Sequence, residues 1–112
     1  MNKLTTVLAS LLLCLSTNVF AEQHADAALQ HATGASEQGK AGHAGKLVDH
    51  AKLAMDESAS ASLVAKSIAK NHLDAASELL QKAVHEGNLN HAPAATKLVD
   101  EAIVHLKAIP KK

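Results

Sequence analysis

The chain has no arginine, tryptophan or tyrosine, one phenylalanine, one cysteine and two prolines among 112 residues. Each shortage removes a class of function. Eleven lysines against eleven acids give a formal charge of zero with histidine neutral, so no basic surface is available to neutralise a phosphate backbone. With one phenylalanine and no tyrosine or tryptophan, the chain has no aromatic platform on which successive bases could stack. A lone cysteine, Cys14, closes no internal disulfide and builds no thiolate cluster. No serine, cysteine or paired acids are placed for nucleophilic work, so an enzyme is not expected.

The first 21 residues read as a secretory signal peptide. Lys3 supplies the positive start, Leu4 to Ser16 a short apolar run, and Val19-Phe20-Ala21 small residues at the minus-three and minus-one positions. The run is short for a bilayer span and lacks a basic stop-transfer flank. A lipid anchor on Cys14 is the other alternative, disfavoured because bulky Leu13 precedes the cysteine and the cysteine lies mid-run. Cleavage after Ala21 leaves 91 of the 112 residues, Glu22 to Lys112, with ten lysines and eleven acids. The expected product is one small exported domain, free of the membrane and monomeric.

That domain reads as helical almost throughout, being rich in alanine, leucine, lysine and glutamate. Gly39, Gly42, Gly45, Gly87 and Pro93 punctuate it. Helices are expected over about 24–38, 44–58, 62–86 and 93–108, with Pro93 in a first turn. "DESASASL" is the expected connection between the second and third, with a bent continuous helix as the alternative. Apolar steps of three and four place Leu73, Ser77, Leu80 and Val84 on one face, and Ala95, Val99, Ala102, Leu106 and Ile109 on another. "KLVD" at 46–49 and 97–100 suggests a duplicated hairpin. Short connections favour an all-α, up-down-up-down four-helix bundle with a thin core of small aliphatic residues.

Against this plain background stand eight histidines: His24, His31, His43, His50, His72, His85, His91 and His105. "HADAALQH" (24–31) and "HAGKLVDH" (43–50) each set two of them seven residues apart. Imidazole is the commonest protein ligand for transition metals. Seven residues rise about 10.5 Å along a helix, whereas a metal–nitrogen bond is about 2 Å, so heptad partners belong to different sites. In a bundle whose two hairpin turns share one end, three levels are expected. His43, His85 and His91 lie at the turns, His31 and His50 about 10 Å deeper, and His24, His72 and His105 roughly 20 Å deep. The expectation is that each level converges on one ion, although His72 and His85, thirteen residues apart, point to different faces.

Two local arrangements add to this. Glu101 and His105 stand four apart, where helix side chains meet; they either chelate an ion or form a hydrogen-bonded surface pair. Cleavage after Ala21 makes His24 third in Glu22-Gln23-His24. Amine, two amides and imidazole there suit the square plane preferred by Cu(II) and Ni(II). With no cysteine and only Met55 in the exported part, the soft ligands for Cu(I) are missing. Imidazole with carboxylate suits Cu(II), Ni(II) and Zn(II), with Cu(II) first in affinity. Lys46 and Lys82, at helical spacing from His50 and His85, would weaken cation binding there.

"HADAALQH", "GHAGKLVDHAK" and "HAPAATKLVDEAIVHLK" resemble the small metal-binding protein (SmbP-like) family of short exported bacterial proteins, over essentially the whole exported part. The resemblance implies a periplasmic four-helix bundle binding several divalent ions, copper foremost, for buffering or resistance, with all eight histidines as ligands. The chain is poorer in histidine than that pattern: Gln38, Glu57 and Leu98 occupy heptad places where the family more often has a ligand. The rival expectation is a small helical interaction or chaperone-like protein whose histidines sense acidification, since imidazole gains charge as pH falls below about 6.5.

Overall fold

The computed structural model describes residues 2–111, with side chains from Phe20 onward. The side chains of residues 1–19 of the proposed leader, Cys14 included, lie outside the described residues. Four helices and no strand are found among them: α1 (Asn2–Lys40), α2 (Ala44–Val64), α3 (Ser67–Asn88) and α4 (Ala92–Lys107). Each helix packs on its neighbour in sequence, and α1 also packs on α4, closing a four-membered ring. No described helix is long and apolar enough to cross a membrane.

Three boundaries differ from expectation. α1 does not start at His24 but continues back to Asn2, because no proline or glycine interrupts the chain before Gly34. "DESASASL" is not a connection. It belongs to α2, where Ser58, Ala61 and Ser62 are buried; small residues fit the narrow interior even though serine favours turns in isolation. The break falls later, at Ala65 and Lys66, both extended.

Two turns join the other helices by one device. At each, a residue with left-handed backbone ends the helix: Gly42 at φ 83° and Asn90 at φ 62°. Glycine and asparagine tolerate this conformation best. The next N–H reaches back five residues, His43 to Gln38 O and His91 to Glu86 O, each at 2.9 Å. Gly42 and Asn90 donate to the carbonyls of Gly39 and Gly87 at 3.0 and 2.9 Å. Together these bonds satisfy the terminal carbonyls in a Schellman motif. His43 and His91 then open α2 and α4 as N-cap residues.

Among the described residues, twelve alanines and only six larger aliphatic side chains make up the buried core. Of the apolar face expected on the third and fourth helices, Leu73, Leu80, Ala95, Val99, Ala102 and Leu106 are buried. Val84 and Ile109 are half-buried against them. Alanine at the centre lets helix axes approach closely, which brings side chains on the flanks of adjacent helices within reach of each other. Polar side chains bind neighbouring helices as well. Ser36 donates to Asp100 at 2.5 Å, and Ser62 donates to Asp74.

The Ser62 hydroxyl, and behind it the Lys70 ammonium, hold the Asp74 carboxyl below the usual aspartate value of 3.8. A lowered carboxylate contributes stability that is complete above the unfolded value and lost as pH falls through the folded one. Ser62→Ala should therefore cost stability at neutral pH, and the difference from wild type should shrink in strong acid. Urea unfolding at several pH values checks this.

Candidate metal centre

The histidines fall into two groups by position. His24, His31, His50, His72 and His105 are half-buried along the helix flanks, while His43, His85 and His91 are exposed at the turn end. The close approach permitted by the alanine core sets the half-buried ones against partners on adjacent helices.

The closer of the two imidazole pairs joins α3 to α4. Nδ1 of His72 and Nδ1 of His105 are 3.0 Å apart, with ring centroids 5.3 Å apart and planes at 45°. One neutral ring donates its N–H to the bare nitrogen of the other. Two nitrogens on one ion, with bonds of about 2.0–2.1 Å, stand roughly 2.8 Å apart at a right angle and 3.3 Å apart at the tetrahedral angle. The observed 3.0 Å lies between them. An ion bound to both would sit to one side of the line between them, so the nitrogens keep their separation while the two rings turn toward it.

A second pair lies between α1 and α2. His31 and His50 have ring centroids 6.5 Å apart at 33°, so closing on one ion requires side-chain rotation. His50 Nδ1 is buried and has no hydrogen-bond partner, which leaves a donor atom uncommitted. Its ring lies over Gly34, where an added Cβ would come within 3.2 Å of Nδ1. Gly34→Ala should raise helix stability by up to about 1 kcal/mol while displacing the His50 ring by a few tenths of an ångström. Thermal unfolding should show an unchanged or higher midpoint, and calorimetry a weakening of this pair's ion uptake by on the order of tenfold.

A third pair, also between α1 and α2, is mixed: the His24 Nδ1–H donates to the Glu57 carboxylate. Imidazole with carboxylate is an ion pair when the ring is protonated and an N,O donor set when it is not. At the turns, the Nδ1–H groups of His43 and His91 donate to Gln38 Oε1 at 3.1 Å and Glu86 Oε2 at 2.8 Å. His85 lines a shallow depression with Glu78, Gln81, Lys82, Glu86 and Leu98. Lys82 there reaches Glu78 at 3.5 Å, which offsets part of its charge beside His85.

The levels thus come together only in part. His31 meets His50, and His72 meets His105, but His24 turns to Glu57, not to the latter pair. The three turn-end histidines stay apart. Among the described residues no group of three or more histidines, cysteines and acids could hold one ion, so convergence of whole levels gives way to donors in twos. The ring of helices is the physical reason: the α1/α2 and α3/α4 grooves lie on opposite sides of an alanine core. Glu101, exposed one turn before His105, is not joined to it by a hydrogen bond among the described residues; the His105 ring is directed across the groove to His72.

The α1/α2 and α3/α4 helix pairs also repeat each other at a spacing of 48 residues. Adding 48 carries His24 to His72, Glu57 to His105, Gln38 to Glu86, Gly42 to Asn90 and His43 to His91. The contacts repeat with the residues: His24–Glu57 corresponds to His72–His105, and His43–Gln38 to His91–Glu86. The middle pair does not repeat, because His31 and His50 correspond to Leu79 and Leu98, both half-buried on the core. "KLVD" recurs at 51 residues and is out of register with this duplication. Aligning the histidines rather than "KLVD" finds the right spacing, and with it Glu57 as the partner of His24.

A small helical bundle that sets imidazoles opposite one another across its grooves is a scaffold for binding metal ions. A family model described as small metal-binding protein matches residues 1–109, and the chain belongs to that family. No curated protein matches it.

Proposed function

We propose that the protein binds divalent transition-metal ions in the periplasm, Cu(II) foremost, for buffering, storage or resistance, and that it acts as a binding protein rather than an enzyme. Residues 1–21 are removed on export, and residues 22–112 form an up-down-up-down bundle that works as a monomer. Contacts between successive helices support that topology. His24 lies level with Glu57, Val48 with Gly87, and His72 with His105. The paired imidazoles are the principal ligands, and the exposed histidines and Glu101 add weaker, exchangeable ones.

The observation that carries this reading is the His72–His105 pair, whose nitrogens stand at the separation of two ligands on one ion. Nitrogen and carboxylate donors without thiolate favour Cu(II) by the general order of affinities, with Ni(II) and Zn(II) next. Two protein donors at a half-exposed groove leave coordination positions open to water or to an acceptor of the ion. That suits cargo that must leave again.

The test is a calorimetric titration of the exported protein with Cu(II) at neutral pH, its N-terminus fixed by mass spectrometry. Saturation at two or more ions, lost on acidification because imidazole binds metal only as the free base, supports the reading. Weak, unsaturable uptake overturns it and leaves the pH-sensing interaction protein.

A further inference from the structure

Residues 20–24 of α1 carry features that the two imidazole pairs do not use. Phe20 lies edge-on to the His24 ring, with centroids 4.3 Å apart at 73°, and Nδ1 of His24 is engaged by Glu57. The helix is continuous here, so the peptide N–H groups of Gln23 and His24 belong to its ladder of i to i−4 bonds. Cleavage after Ala21 changes all of this. It removes Phe20 and makes the backbone nitrogen of Glu22 the chain's α-amine. It also places the N–H groups of Gln23 and His24 among the four that a helix start leaves without an intrahelical acceptor.

We infer that removal of the leader creates an amino-terminal site for square-planar Cu(II) or Ni(II) at Glu22-Gln23-His24, separate from the His31–His50 and His72–His105 pairs, in which the ion displaces Glu57 from His24 Nδ1. The inference rests on the proposed cleavage after Ala21. The donors are the α-amine, the two deprotonated amide nitrogens of Gln23 and His24, and the imidazole, four nitrogens in the plane these ions prefer. Neither Gln23 nor His24 is proline, so both amides have a proton to lose. The two protons pass to solvent, and the two amidate charges balance the divalent ion. The ring closes the last chelate through Nδ1, its nitrogen nearer the backbone, which is the atom Glu57 holds. Seating the ion unwinds the first turn. Asp26, bridged to Lys111 at 2.9 Å, and the buried Ala28 anchor the helix just beyond, so the unwinding stops there. In the uncleaved chain the amine is absent and the site does not exist, so leader removal switches it on.

The full chain is expressed with its leader in a bacterium, the exported product is purified, and its N-terminus is read by mass. Ni(II) alone is then added and followed by visible absorption and magnetic susceptibility. A product beginning at Glu22 should give one diamagnetic, square-planar Ni(II) per chain. His24→Ala, or one alanine inserted between Gln23 and His24, should abolish that signature. Glu57→Gln should tighten the site by roughly 2- to 10-fold, the worth of one hydrogen bond. A product beginning at Glu22 without the signature overturns the site, as does a signature that survives His24→Ala. An unchanged affinity in Glu57→Gln overturns the competition. A different N-terminus overturns the cleavage reading and this site with it, while Cu(II) uptake at the cross-helix pairs persists.

Discussion

Replacing His72 and His105 together with alanine should remove one ion from the saturating Cu(II) stoichiometry. Replacing His31 and His50 together should remove another. Either single member leaves a one-imidazole site, and the affinity there should fall by at least the roughly 10- to 100-fold that loss of an outer-shell partner already costs. Substituting the exposed His43, His85 and His91 together should leave the tight stoichiometry unchanged, although it removes more imidazoles than either pair. This contrast separates geometry from histidine content, and calorimetry reads it directly. Equal losses from the paired and exposed sets would mean that imidazoles act singly.

Leu80→Ala should have the largest effect on stability. Leu80 is fully buried and one of six larger side chains in a core otherwise made of alanine, with few neighbours able to fill the space it leaves. Truncations of this kind cost about 2–5 kcal/mol, against a total of roughly 0.05–0.15 kcal/mol per residue. At about 4–8 °C per kcal/mol for a domain of this size, the melting temperature should drop by roughly 8–40 °C. Cu(II) should restore much of it, because an ion bound only by the folded chain stabilises by about 2.7 kcal/mol per site at a free concentration of 100 Kd. The paired ligands lie 19 and 33 residues apart in sequence and meet only when the hairpins form. Thermal unfolding with and without Cu(II) checks both parts. A melting temperature unmoved by the ion would mean that the unfolded chain binds it equally well.

Helix content was legible because composition and three- and four-residue steps report local preference directly. α4 begins one residue before its expected start, with Pro93 in its first turn. The α2–α3 break was not legible. Serine-rich "DESASASL" has the local signature of a connection, and only the burial of Ser58 and Ser62 against neighbouring helices makes it helix. The same division holds at the site. Histidine spacing along one helix shows which rings share a face but not what stands opposite, which depends on the lateral register of two helices. His31 with His50 followed from depth below the turns, and that reasoning also grouped His72 with His105. It failed for His24, whose partner is the acid Glu57. Gln38, Glu57 and Leu98, which stand where the family pattern more often has a ligand, lie beside His43, His24 and His85. The 48-residue duplication explains two of them: Glu57 occupies the counterpart of His105, and Leu98 that of His50.

The most direct test of ligation in pairs is a residue-resolved NMR titration with Zn(II), following all eight histidine rings. His72 and His105 should move together and saturate at one ion, and His31 and His50 should do the same at another, ahead of His43, His85 and His91. Uniform movement of all eight without saturation, or movement of the exposed three first, would contradict the account.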